Sequence, residues 1–191
     1  MSLKEINRVV TGHDEHGKAI ILKSGQLNNI HHLEHAPGMV FHEVWNTGEH
    51  QVITAKTEDV ATGAVTLSPT VAGTRFRFVD FPPDSEYIHK LSLDPEKSSF
   101  KDMGEVQAAT STSESKHPMM HRTETIDYGI VISGSITLLL DDEEIEVHEN
   151  SVVVQRGTNH AWANRTDQVC RMAFILTDAT YDNELGNYFS K

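Results

Sequence analysis

The sequence predicts an all-β domain, an antiparallel barrel or sandwich, and three observations carry that reading. From Thr125 onward, short β-prone runs recur at about eight- to ten-residue spacing with turn residues between them. Thr74–Phe81 alternates in type, setting Phe76 and Phe78 on one face and Arg75 and Arg77 on the other. Helical patterning is scarce; one short helix is expected within residues 98–109.

Taken in order, residues 8–11 and 19–23 are β-type runs flanking Gly12-His13-Asp14-Glu15-His16-Gly17. They read as a hairpin with a longer Gly-containing loop. His13 and His16 lie in that polar turn and read as solvated. Residues 24–37 are loop-like and hold His31, His32 and His35. Three histidines invite a metal reading, but no Cys or supporting second layer accompanies them. Residues 40–45 alternate and read as a strand, residues 60–68 as another, and Thr74–Phe81 as a third. Arg75 and Arg77 are taken as a solvated or salt-bridged face; reaching a substrate carboxylate is their other option. Pro82-Pro83 ends the strand, because proline cannot donate to a ladder. Residues 90–118 are polar and enter the barrel just before His121. Residues 92–118 are expected either to cross the mouth as a lid or to remain a surface loop. Strands follow at 136–140, 145–148, 151–155 and 169–176. The tail after Thr177 carries no motif.

Composition narrows the partners. Of 191 residues, 16 are Lys or Arg and 28 are Asp or Glu, a net charge of −12. That balance argues against nucleic acid or an anionic membrane and leaves metal ions and small organic molecules. The length suits one domain with a sizeable core. A single cysteine, Cys170, excludes an intramolecular disulfide and suits a reducing compartment. No apolar run approaches a membrane span, and MSLKEINRVV lacks a signal-peptide core. A cytoplasmic protein is the expectation.

The chemistry-bearing stretch runs from residue 121 to 164. It opens with HRTETIDYGIVISG and closes with QRGTNHAWAN. By strand parity His121, Thr123, Thr125 and Asp127 share one face, and His160, Trp162 and Asn164 share another. Tyr128 and Arg122 have the opposite parity and should face away. Arg156 sits in the turn before His160, where it could rim the mouth. Cys170 lies in a core-like strand with no activating base nearby.

These two segments resemble the cupin superfamily, whose motifs are G-x5-H-x-H-x3-4-E-x6-G and G-x5-P-x-G-x2-H-x3-N. His121 falls on the first histidine, Asp127 on the glutamate and Gly134 on the closing glycine. Gly157, His160 and Asn164 match the second motif. Thr123 stands where the family has its second histidine, and Gln155 where it has proline. The resemblance implies a jelly-roll barrel, or double-stranded β-helix, with an N-terminal strand extension. It implies one domain over 1–191, with 1–95 as strand extension and barrel support and 96–180 as the core. It also implies that His121, Asp127 and His160 line the interior and hold a divalent metal.

Two imidazoles and a carboxylate suit Fe(II) foremost, and also Mn(II), Zn(II), Ni(II) or Co(II). Thr123, Thr125, Trp162 and Asn164 are the expected substrate-pocket residues. The first functional reading is a metal-dependent enzyme on a small organic molecule, an oxidoreductase of the dioxygenase kind. The second is a lyase or isomerase, a decarboxylase or dehydratase, using His121, Asp127 and His160 as acid and base. The third is a non-catalytic small-molecule-binding protein. Similar small cupins are often homodimers, and the N-terminal strands are candidates for pairing with a second barrel.

Overall fold

A computed structural model describes residues 5–56 and 58–189. Residues 1–4 of the stretch read for a leader lie outside the described residues. Strands β1 (Asn7–His13) and β2 (Ala19–Gln26) pair as the expected antiparallel hairpin. Then come β3 (Ile30–His32), β4 (Val40–Thr47) and β5 (Thr74–Phe81). Two single-turn helices follow, α1 (Asp84–Tyr87) and α2 (Ser99–Asp102). The remaining strands are β6 (Thr125–Ser133), β7 (Ser135–Leu139), β8 (Glu144–His148), β9 (Val152–Arg156), β10 (Ala161–Ala163) and β11 (Cys170–Asp178). Helix α3 (Asn183–Phe189) closes the described chain. Among the described residues, no helix is long and apolar enough to cross a membrane.

The strands form a six-stranded sheet, β3-β4-β5-β11-β6-β9, and a three-stranded sheet, β10-β7-β8. Every pairing is antiparallel. Neighbours distant in sequence, such as β5 beside β11, show the crossovers of a jelly roll rather than a meander. The all-β class stands. One apolar cluster fills the space between the sheets, with Val131, Met172 and Phe174 from one and Ile136 and Leu138 from the other. The motif glycines Gly134 and Gly157 both have positive φ, 84° and 61°. A Cβ at Gly157 would sit 2.8 Å from the Tyr181 ring, so glycine is required there for space as well as for backbone conformation.

Three elements differ from the sequence reading. His31 and His32 belong to β3, paired with Phe41 and Val40, although Ile30 is the one β-branched residue of the stretch. Residues 60–68 form no strand. Their backbone is satisfied by side chains instead: Arg77 Nη2 donates to the Thr66 carbonyl, and Glu105 accepts from the Ser68 N–H. Their apolar side chains Ala61, Val65 and Leu67 are still buried. The tail, read as featureless, forms α3, held where Arg122 Cζ stacks 3.6 Å from the Phe189 ring.

The faces of β5 also resolve. Arg75 and Arg77 are the salt-bridged residues the sequence allowed, but they are buried, while Phe76 and Phe78 are half-exposed. The cause is register. Val79 and Phe81 share the parity of Arg77 and pair with Met172 and Cys170 of the core strand. A strand cannot change faces midway without a bulge, so the arginines go inward with them.

Candidate metal and substrate site

His121 and His160 are brought together by backbone pairing. Each donates its N–H to the other's carbonyl at 2.9 Å, an isolated antiparallel bridge. Residues directly opposite in such a pair project side chains to the same face. The two imidazole rings therefore stand with centroids 4.2 Å apart. His121 Nδ1 is 3.0 Å from the Met119 carbonyl, and His160 Nδ1 is 3.0 Å from the Thr158 carbonyl. A carbonyl only accepts, so in the neutral rings both protons lie on Nδ1 and both Nε2 lone pairs remain free. Burial pushes both imidazoles below the usual histidine range, and the neighbouring His121 pushes His160 further. Both are neutral at pH 7.

The rings open onto a partly open cavity of about 80 Å³. Its polar lining is His121, His160, Asp127 and Arg77; Phe41, Phe81, Phe100, Trp162 and Phe174 supply aromatic walls. Asp127 comes from β6, whose odd positions Thr125, Asp127, Gly129 and Val131 all point inward and are buried. Desolvation raises its carboxyl to about 6, opposed by the Thr125 hydroxyl and by Arg77. Its Oδ1 is buried without a hydrogen-bond partner. Phe100 and Met103, at and just beyond α2, reach the cavity wall from the segment read as lid or loop. Asp102 holds that segment to the loop at His35, through the His35 N–H at 2.8 Å and Nδ1 at 2.7 Å.

The other expected residues divide. Trp162 is a cavity wall, edge-on to His160 at 6.0 Å and to Phe174 at 5.6 Å. Thr123 faces a second, polar cavity beside Arg122 and Tyr181, and its hydroxyl is bonded to that of Thr125 at 2.7 Å. Thr125 is buried outside the cavity lining. Asn164 is a brace: its amide donates to the carbonyls of Phe81 and Gln168 and accepts from Thr166. Tyr128 and Arg156 are exposed. Cys170 is fully buried, and desolvation pushes its thiol up to about 12, so it supplies no nucleophile.

The donor chemistry fits a divalent cation at the paired Nε2 atoms, with the orphaned Asp127 oxygen in the same cavity. The three groups share a cavity without closing into a tight cluster. Among the described residues, the trio whose ligand atoms all lie within 4.8 Å of one another is Glu34, His35 and Asp102. There the His35 ring is already held by Asp102, and Glu34 is exposed, so pairing accounts for the cluster. Sequence reasoning missed Arg77 and Glu43 as interior groups. Their parity with Val79, Phe81 and Phe41 was the available signal.

Residues 105–176 match the family described as Cupin domain. Over 63 residues the chain is 49% identical to the Phomopsin biosynthesis cluster protein C' of Diaporthe leptostromiformis, covering 32% of this chain and 33% of that protein. The match thus spans about a third of that relative's length. A longer match, 25% identical over 182 residues, is to the Cupin-domain-containing oxidoreductase fogC of Aspergillus ruber, covering 92% of this chain and 74% of that one. The Cnp3 cupin domain of Schizosaccharomyces pombe aligns at a TM-score of 0.44 and 8% identity, covering 98% of this chain and 95% of that one. The family match spans both motif segments, so residues 105–176 carry a Cupin domain.

Proposed function

We propose that this chain is a metal-dependent oxidoreductase acting on a small organic molecule bound in the barrel cavity. The carrying observation is the pair of neutral imidazoles, each with Nδ1–H tied to a backbone carbonyl and Nε2 left free. That backbone tie fixes tautomer and ring orientation, as outer-layer hydrogen bonds do for metal-bound histidines. The name of the Aspergillus ruber relative points to the same reaction class. Fe(II) would supply the redox chemistry and, in the dioxygenase form of the reading, activate oxygen. His121 and His160 would hold it. The aromatic walls give the chamber an apolar lining, and Asp127 can hold a proton at its free oxygen or complete the ligand set.

A lyase or isomerase remains the second reading, favoured by one observation. A buried carboxyl near pKa 6 with an unpartnered oxygen is poised to exchange protons at neutral pH. The metal is tested directly. Protein purified with Fe(II) should carry about one ion per chain, and His121→Ala or His160→Ala should lose nearly all of it. Both variants should keep a β-type circular dichroism spectrum. Full occupancy in folded His160→Ala would overturn the metal reading. Asp127→Asn separates its two roles: lost metal marks a ligand, and retained metal with an altered pH profile marks a proton carrier.

A further inference from the structure

The cavity wall holds a buried guanidinium whose donors are only partly used. Arg77 is 2% exposed and lines the cavity together with the two imidazoles and Asp127. It stands opposite Glu43 in the register of β4 and β5. Glu43, 1% exposed, also serves Arg75, whose Nη1 donates to Glu43 Oε2 at 3.0 Å. One carboxylate is therefore shared by two buried guanidinium groups. The share left to Arg77 is poor. Its Nε lies 3.1 Å from Glu43 Oε1, yet both atoms lack a hydrogen bond, so the contact is an ion pair without donor–acceptor alignment. Arg77 Nη2 is occupied by the Thr66 carbonyl at 2.5 Å, and the guanidinium lies 5.4 Å from the Phe41 ring centroid. A buried guanidinium with unused donors is costly unless something completes its set. Its planar fork matches a carboxylate.

We propose that Arg77 anchors the carboxylate of a substrate whose remaining frame is flat and apolar, seated among Phe41, Phe81, Trp162 and Phe174. The proposal deepens the functional reading above and rests on the cavity being the reaction site. Asp127 sets the selectivity of the same chamber, because a second anion placed near it would be repelled. The substrate class is accordingly a monocarboxylate on an aromatic or similarly flat body.

The test uses the full chain stripped of metal by chelation, with calorimetric titration of benzoate, 2-naphthoate and 4-phenylbutyrate against their amides at neutral pH. Wild type should prefer at least one carboxylate over its amide by about tenfold or more. Arg77→Met leaves the Arg75–Glu43 pair balanced and should abolish that preference, whereas Arg77→Lys should keep part of it. Glu43→Gln releases Arg77 and should tighten carboxylate binding, which a purely structural Arg77 would not do; if Arg77→Met does not fold, Arg77→Lys, which keeps the buried charge, decides the matter by a weakened preference. No carboxylate preference in any pair, unchanged preference in Arg77→Met, or no tightening in Glu43→Gln would overturn the proposal. Because metal is absent throughout, such a result leaves the metal reading intact. Conversely, loss of the metal reading in His160→Ala leaves the anion preference to be judged on its own.

Discussion

Glu43→Ala is expected to lower the stability of the native state by about 3–5 kcal/mol, the usual cost of leaving a buried charge unpaired. Two guanidinium groups, Arg75 and Arg77, form ion pairs with this carboxylate, and all three residues are buried. A loss of that size is a large part of the roughly 5–15 kcal/mol that holds a typical domain together. Denaturant midpoints would measure it. Converting Arg75 and Arg77 to methionine in the same background should recover most of the loss, since no charge is then stranded. A change below about 1 kcal/mol for Glu43→Ala would mean that water reaches the arginines and that the interior charge is solvated.

Asp127→Asn should act in the opposite direction on the metal-free protein. Burial raises the Asp127 carboxyl from an ordinary 3.8 to about 6. Between those values the native state binds more protons than the unfolded chain, so stability falls as pH rises through the window. Above pH 6 the penalty is complete, and at about 1.4 kcal/mol per pKa unit it comes to roughly 3 kcal/mol. Asparagine carries no such charge. The metal-free variant should therefore melt higher than wild type at neutral pH, and the difference should vanish as pH falls below 3.8. Metal loading should reverse the order if Asp127 is a ligand. An Asp127→Asn variant that melts lower than metal-free wild type at neutral pH would show that the ionised carboxylate has a partner stabilising it.

Much of this was legible in the sequence, for reasons that differ by residue. His121, His160, Gly134 and Gly157 could be found through the motif resemblance, and the structure sets the two histidines in a backbone bridge and the two glycines at positive φ. Asp127 followed from parity, since β6 is regular from Thr125 onward. The same parity rule failed for Thr123. Residues 122–124 lie outside any strand, so alternation does not carry across from His121, and Thr123 turns to the second cavity. Asn164 was assigned to the pocket by the same logic, but its amide is taken up by two backbone carbonyls. The interior arginines were hidden for a different reason. A Phe/Arg alternation looks like an ordinary amphipathic strand until long-range register with β11 decides which face is inner. The β3 pairing and the contribution of Phe100 and Met103 to the cavity depend on contacts distant in sequence, and no local pattern announces them.

The most direct test of the central claim is X-ray absorption at the metal edge of the protein loaded with Fe(II). The spectrum should show the multiple-scattering signature of two imidazoles with nitrogen at about 2.0–2.2 Å, the remaining ligands being oxygen. Whatever residual metal His160→Ala retains should show one imidazole fewer. A spectrum with no imidazole scattering, or one identical in wild type and His160→Ala, would contradict it and place the metal elsewhere on the chain.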